Sequence, residues 1–138
     1  VSTPKTAVPA REMGADLDGD YQVILDQLGR YFDGLHRGDP ETLASVFHAD
    51  AVLKAPGLRR ALPDWLALVA SRPRPEDRGD PFDYRVLSIE IVGDQAMAKV
   101  YCPLLGRRFI DFLGFLREDG IWRIVNKMYA DQPEQGLA

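Results

Sequence analysis

Residues 84–129 read YRVLSIEIVGDQAMAKVYCPLLGRRFIDFLGFLREDGIWRIVNKMY. Leu87, Ile89 and Ile91 alternate with Val86, Ser88 and Glu90, the two-residue period of a strand with one buried face. Gly93-Asp94 is a hairpin turn signal. Pairing across it sets Ile91 opposite Ala96, Ile89 opposite Ala98 and Leu87 opposite Val100, which is one consistent apolar face. Pro103 and Gly106 break the next connection. A strand over 108–117 follows, and Glu118-Asp119-Gly120 turns it into a last strand over 121–129. Two registers are open there. With Gly120 in a left-handed bulge position, Arg117 faces Ile121, Leu116 faces Trp122, Phe112 faces Asn126 and Asp111 faces Lys127. A two-residue loop shifts the pairing by one and takes that partner from Asp111. Glycine at the end of the turn favours the bulge.

Upstream the period changes to 3.6. Tyr21, Ile24, Leu25, Leu28, Tyr31, Phe32 and Leu35 form the stripe of an amphipathic helix, with Asp18 or Asp20 to cap its start and Gly38 at its end. Asp39-Pro40 opens a second, short helix with Leu43, Val46 and Phe47 inward, ending near His48. Residues 51–55 are a strand candidate stopped by Pro56-Gly57. A third helix opens at Pro63, with Trp65, Leu66, Leu68 and Val69 inward, and stops before Pro73. Residues 72–81 are polar and proline-rich, an exposed connector. Three helices and a short strand followed by a four-stranded antiparallel meander make a segregated α+β domain. A curved sheet wrapped around helices leaves room for a concave pocket between the layers.

The chain has 138 residues, 46% of them hydrophobic, and a formal net charge of -4. That suits one domain with a proper core and excludes disorder. No apolar run approaches the ~18 residues of a membrane span, so no membrane partner is expected. The acidic balance argues against nucleic acid, which needs a basic face. A single cysteine, Cys102, excludes an internal disulfide and a multi-thiolate metal site, and two histidines leave little for a His-based one. Neither a metal nor a cofactor is expected. Residues 1–19 read as a flexible arm, 20–130 as the domain and 131–138 as a tail. The lone thiol points to the cytoplasm. Because the chain begins at Val1, export behind a cleaved signal peptide is the alternative.

Two segments carry a family resemblance. YFDGLHRGDPETLASVFHADAVL, residues 31–53, resembles the start of nuclear transport factor 2-like domains: a long helix, a Gly-Asp joint, a short helix ending in Phe-His and then a strand. FIDFLGFLREDGIWRIVNKMY, residues 109–129, resembles the terminal hairpin of the same superfamily, with its Asp-Gly-x-Trp-x-Ile pattern. The pairing of Asp-Phe-Leu with a late Asn-Lys is most similar to the lumazine-binding-like family. The resemblance covers about residues 20–130. It implies a cone-shaped, cystatin-like domain with three N-terminal helices packed on a curved, mostly antiparallel sheet. It also implies a pocket between helices and sheet and a homodimer formed through the sheet.

Candidate chemistry is sparse. Asp111, set in an apolar strand opposite Lys127, has the chemistry of a general base, but a carboxylate facing a lysine equally suits a register-fixing ion pair. His48 suits proton transfer near neutrality or a ligand contact; the alternative is a helix-terminal histidine meeting unpaired carbonyls, which is also the plainer reading of His36. Tyr31, Trp65, Tyr101, Phe112 and Trp122 could line a pocket, with Asn126 orienting a ligand, although large residues at these periods also build cores. In the favoured register Asp111 lies on the face opposite Phe112, Asn126 and Trp122. Arg59, Arg60, Arg107 and Arg108 could rim a site for an anion or simply be solvated. Cys102, on the apolar face of its strand, reads as a buried structural thiol. No phosphate loop, dinucleotide fingerprint, metalloprotease helix or nucleophile elbow is present.

No catalytic set is complete, with His48 and Asp111 the only weak candidates, so a non-catalytic domain binding an unidentified small molecule in a largely apolar pocket leads. A pocket enzyme doing proton-transfer chemistry, of isomerase, dehydratase or cyclase type, comes second. A protein-interaction module comes third, with Phe109, Leu113, Phe115, Val125 and Tyr129 on the outer sheet face. An apolar outer face predicts a dimer. Sedimentation that gives a monomer at micromolar concentration would contradict it.

Overall fold

The computed structural model describes residues 17–132. Helix α1 (Leu17–Arg37) leads to α2 (Pro40–Val46), strands β1 (Phe47–Ala55) and β2 (Leu58–Ala61), and helix α3 (Leu62–Ser71). Strands β3 (Arg85–Val92), β4 (Gln95–Leu104), β5 (Arg107–Glu118) and β6 (Ile121–Asp131) follow. Among the described residues the strands form one sheet in the order β2-β1-β6-β5-β4-β3. All neighbours are antiparallel except β1 and β6, which run parallel. This is the expected α+β architecture, three helices on a mostly antiparallel sheet. No helix among the described residues is long and apolar enough to cross a membrane. The arm expected over 1–19 lies outside the described residues as far as 16, and residues 17–19 open α1. Of the expected tail, Asp131 ends β6 and residues 133–138 lie outside the description.

Helix α1 buries Ile24, Leu28, Tyr31, Phe32 and Leu35, the expected stripe, while Leu25 stays outside it. Its end is closed by Gly38 at φ +58: the Gly38 N–H donates to the Leu35 carbonyl (3.3 Å) and the Asp39 N–H to the Gly34 carbonyl (2.9 Å). This two-bond cap needs a left-handed residue, which glycine supplies without strain. Asp39 then starts α2, its Oδ1 accepting from the backbone N–H groups of Glu41 (3.1 Å) and Thr42 (3.3 Å). Helix α2 stops at Val46, so His48 is the second residue of β1 and not a helix terminus. Strand β2 was not expected; four residues after a Pro-Gly turn are too few to display a period.

The β3–β4 hairpin pairs Ile91 with Ala96 and Ile89 with Ala98, as expected. Val86, not Leu87, meets Val100, because Leu87 is an extra residue that turns outward to solvent. The β5–β6 hairpin departs further. Asp119 and Gly120 both have positive φ (53 and 76) and form a two-residue turn, so Glu118 pairs with Ile121 and Arg117 with Trp122. The bulge lies instead at Val125, between the pairs Phe115–Ile124 and Gly114–Asn126. One extra residue reverses the side-chain alternation beyond it. Trp122 and Ile124 point under the helices before the bulge, and Lys127 is buried there after it, whereas Asn126 joins Phe112 on the outer face.

The two-residue turn and the bulge together correct the expected faces. Asp111 shares the inner face with Trp122 and lies opposite Tyr129, with Lys127 its diagonal neighbour. Leu113 and Phe115 are fully buried core residues and Phe109 packs against that core, so they do not form an outer patch. The large apolar side chains exposed on the outer face of β4, β5 and β6 are Met97, Phe112, Ile121 and Met128.

Helices α1 and α2 touch at Gly34, where a Cβ would sit 2.7 Å from Cγ and Cδ2 of the fully buried Leu43. Gly34→Ala should therefore destabilise the domain by roughly 1–3 kcal/mol despite the better helix propensity of alanine, as read by urea denaturation.

Candidate functional site

A cavity of about 170 Å³ lies between α3, the C-terminal part of α1 and the inner face of β4, β5 and β6. Leu35, Trp65, Leu68, Leu104 and Phe109 make most of its wall apolar. Arg60 from β2, Arg72 just after α3, Cys102, Asp111, Lys127 and Tyr129 complete it. Its size is close to the ~150 Å³ of dry cavities that accept benzene.

Its polar corner is built around Asp111, which is 2% exposed. The Tyr31 hydroxyl donates to Oδ2 at 2.6 Å, and Lys127 Nζ stands 3.9 Å from the same oxygen. Oδ1 is buried with no hydrogen-bond partner among the described residues. Lys127, 7% exposed, lies over the rings of Trp65 (4.4 Å), Tyr31 (5.4 Å) and Tyr129 (5.4 Å), which attract its charge. Burial pulls the Lys127 ammonium below the usual lysine range, and the Asp111 carboxylate works against that pull. Burial first, and then Asp111, push the Tyr31 hydroxyl well above the usual tyrosine range, so it stays a donor. The same two causes push up the Cys102 thiol, which is therefore no thiolate nucleophile near neutrality.

Arg72 forms the opposite wall. Its backbone N–H closes α3 on the Leu68 carbonyl (3.0 Å). Its Nε and Nη2 are buried without a hydrogen-bond partner among the described residues.

Of the residues singled out as ligand-binding, Trp65 lines this cavity and Tyr31 meets it through Asp111. Trp122 is buried near the start of α1, its Nε1 donating to Asp20 (3.3 Å) beneath the Arg117 guanidinium (5.0 Å). Tyr101, Phe112 and Asn126 belong to the outer face, where Arg85 covers the Tyr101 ring at 5.6 Å. Of the two catalytic candidates, Asp111 reaches the cavity. His48 stands at the surface, 2.6 Å from Asp50. His36 contacts the Tyr84 hydroxyl at 3.1 Å. Among the four arginines only Arg60 lines the cavity; Arg107 pairs with Asp131 (2.8 Å) and Arg59 donates to the Leu58 carbonyl (2.8 Å). Arg72 escaped the sequence reading because it opens a polar, proline-rich stretch. The signal available was its place directly after an apolar helix.

Solved structures share this fold. A nuclear transport factor 2-like protein of unknown function from Silicibacter pomeroyi is 26% identical with a TM-score of 0.71, covering 86% of this chain and 100% of its own. One from Shewanella baltica is 22% identical with a TM-score of 0.76, covering 88% and 100%. An uncharacterised protein with a cystatin-like fold from Caulobacter vibrioides is 16% identical with a TM-score of 0.61, covering 85% and 92%. No curated protein matches the chain in sequence. The fold is thus nuclear transport factor 2-like. Residues 19–130 match the family described as "Putative lumazine-binding", and the chain belongs to that family.

The Asp111 cluster sets a stability test. Asp111→Ala strands a buried ammonium and a buried hydroxyl and should cost roughly 3–5 kcal/mol. Replacing Lys127 as well, in Asp111→Ala/Lys127→Met, should recover most of that loss in urea denaturation.

Proposed function

We propose that this chain is a small-molecule-binding domain whose ligand occupies the cavity beneath α3. One observation carries the reading: a largely apolar, partly open space whose wall holds buried polar atoms, Asp111 Oδ1 and Arg72 Nε and Nη2, with unfilled hydrogen bonds. Buried polar groups in native proteins are almost always satisfied, so such atoms beside a cavity mark the place of a partner. Aromatic and aliphatic walls suit a ligand with one or two flat rings, and the family description, which names lumazine, agrees with that size and shape. We further propose a homodimer through the outer sheet face bearing Met97, Phe112 and Met128.

A second reading, proton-transfer catalysis in the same cavity, is favoured by Asp111 alone. Tyr31 and Lys127 both address Oδ2, which leaves Oδ1 open to a substrate proton.

A thermal-shift panel of lumazine, pterins, flavin precursors, steroids and aromatic polyketides tests the proposal. A ligand at 100 times its Kd stabilises by about 2.7 kcal/mol, roughly 5–10 °C in a domain of this size. Leu68→Trp, which fills the cavity from its exposed rim, should abolish the shift, and Phe112→Ala on the far side of the sheet should leave it. The opposite pattern would move the site to the outer face. Chemical turnover of a bound compound, lost in Asp111→Asn, would establish the second reading.

A further inference from the structure

The cavity wall carries three cations, Arg60, Arg72 and Lys127, against one carboxylate, Asp111. That carboxylate is engaged: its Oδ2 takes the Tyr31 hydrogen bond and faces Lys127. Arg72 forms no ion pair with any described residue, and two of its nitrogens are buried without an acceptor. The groups around it cannot balance its charge. Tyr31 and Tyr84, its titratable neighbours, are both pushed up by burial and remain neutral hydroxyls. A guanidinium does not release its proton under ordinary conditions. A half-buried guanidinium that turns two unpartnered nitrogens toward a cavity with no counter-charge is disfavoured, so the folded chain leaves a place for an anion at Arg72.

Resting on the binding reading above, we infer that the ligand is a small aromatic or aliphatic carboxylate, its apolar body against Trp65, Leu104 and Phe109 and its carboxylate on the Arg72 fork. Three features select this class. The planar fork matches two carboxylate oxygens in parallel hydrogen bonds. The remaining wall is largely apolar, which disfavours the heavier desolvation of a phosphate dianion. Asp111 stands across the same space, so a second negative charge on the ligand would be repelled, whereas a hydroxyl or ring N–H on its far end could donate to the free Oδ1.

Titration calorimetry of the full chain with sodium benzoate and with benzamide, its neutral isostere, tests the inference. Benzoate should bind the unaltered protein at least roughly tenfold more tightly, about 1.4 kcal/mol, than benzamide. Arg72→Met should lower benzoate affinity to the level of benzamide and leave benzamide unchanged, and Arg72→Lys should fall between. Without ligand, Arg72→Met should melt no lower than the unaltered protein, because it removes a half-buried charge that no other group pairs; a lower melting temperature would mean that the guanidinium is already satisfied within the chain and would overturn the inference. So would equal affinity for the two probes, a preference for benzoate that survives Arg72→Met or is lost only in Arg60→Met, or no binding of either. A neutral ligand from the thermal-shift panel that is lost in Leu68→Trp keeps the binding reading standing in each of those cases.

Discussion

The extra residue at Val125 is the constraint on which the inner surface of this domain depends. Strand β6 is bonded on both sides, parallel to β1 and antiparallel to β5, and both ladders slip between Ile124 and Asn126. Before that point the even-numbered residues Trp122 and Ile124 enter the core; beyond it Lys127 and Tyr129 face inward. One half of the strand therefore builds a dry core against α1, and the other half delivers an amine and a phenol to the cavity. Without the insertion Asn126 and Met128 would point inward and Asp111 would face the core without a cation.

The cluster that results ties together elements distant in the chain. Tyr31 belongs to α1, Asp111 to β5, Lys127 to β6, and the Trp65 ring under the ammonium to α3. Placing an ammonium and a carboxylate in the interior costs desolvation that their attraction offsets only when the geometry is good and further contacts help. Here a 2.6 Å hydrogen bond and three aromatic rings supply those contacts. An arrangement that works in one geometry only orients α1 and α3 over the sheet more narrowly than apolar packing would.

The same cluster determines the chemistry of the cavity. Its carboxylate is held on one oxygen and bare on the other, and Arg72 across the space is bare on two nitrogens. The walls between them are Leu35, Leu104, Phe109 and Trp65. In the binding reading proposed above, a space with an apolar middle and complementary polar ends selects the orientation of a ligand as well as its size.

Much of the fold was legible in the chain, because the signals for it are local. The stripe of α1, the Gly38-Asp39 joint, the Gly93-Asp94 hairpin and the change of period after residue 84 each arise within a few residues from backbone geometry and side-chain spacing. These were enough to read three helices, the meander and the likeness to nuclear transport factor 2-like domains. Asp111 and Lys127 also stood out as polar residues in apolar strands, and they meet, though diagonally. The site was less legible. Gly120 drew the bulge to the turn, whereas the insertion at Val125 has no local signature and is decided by the two neighbours of β6. The two-residue turn put Trp122 on the side of Asp111 and away from Phe112, and the slip at Val125 then carried Asn126 to the outer face and Lys127 inward. Arg72 became a cavity residue only once α3 was laid across the sheet. Local spacing determines which elements form; which of their side chains share a face is decided by strand pairing among distant segments, which only the tertiary structure contains.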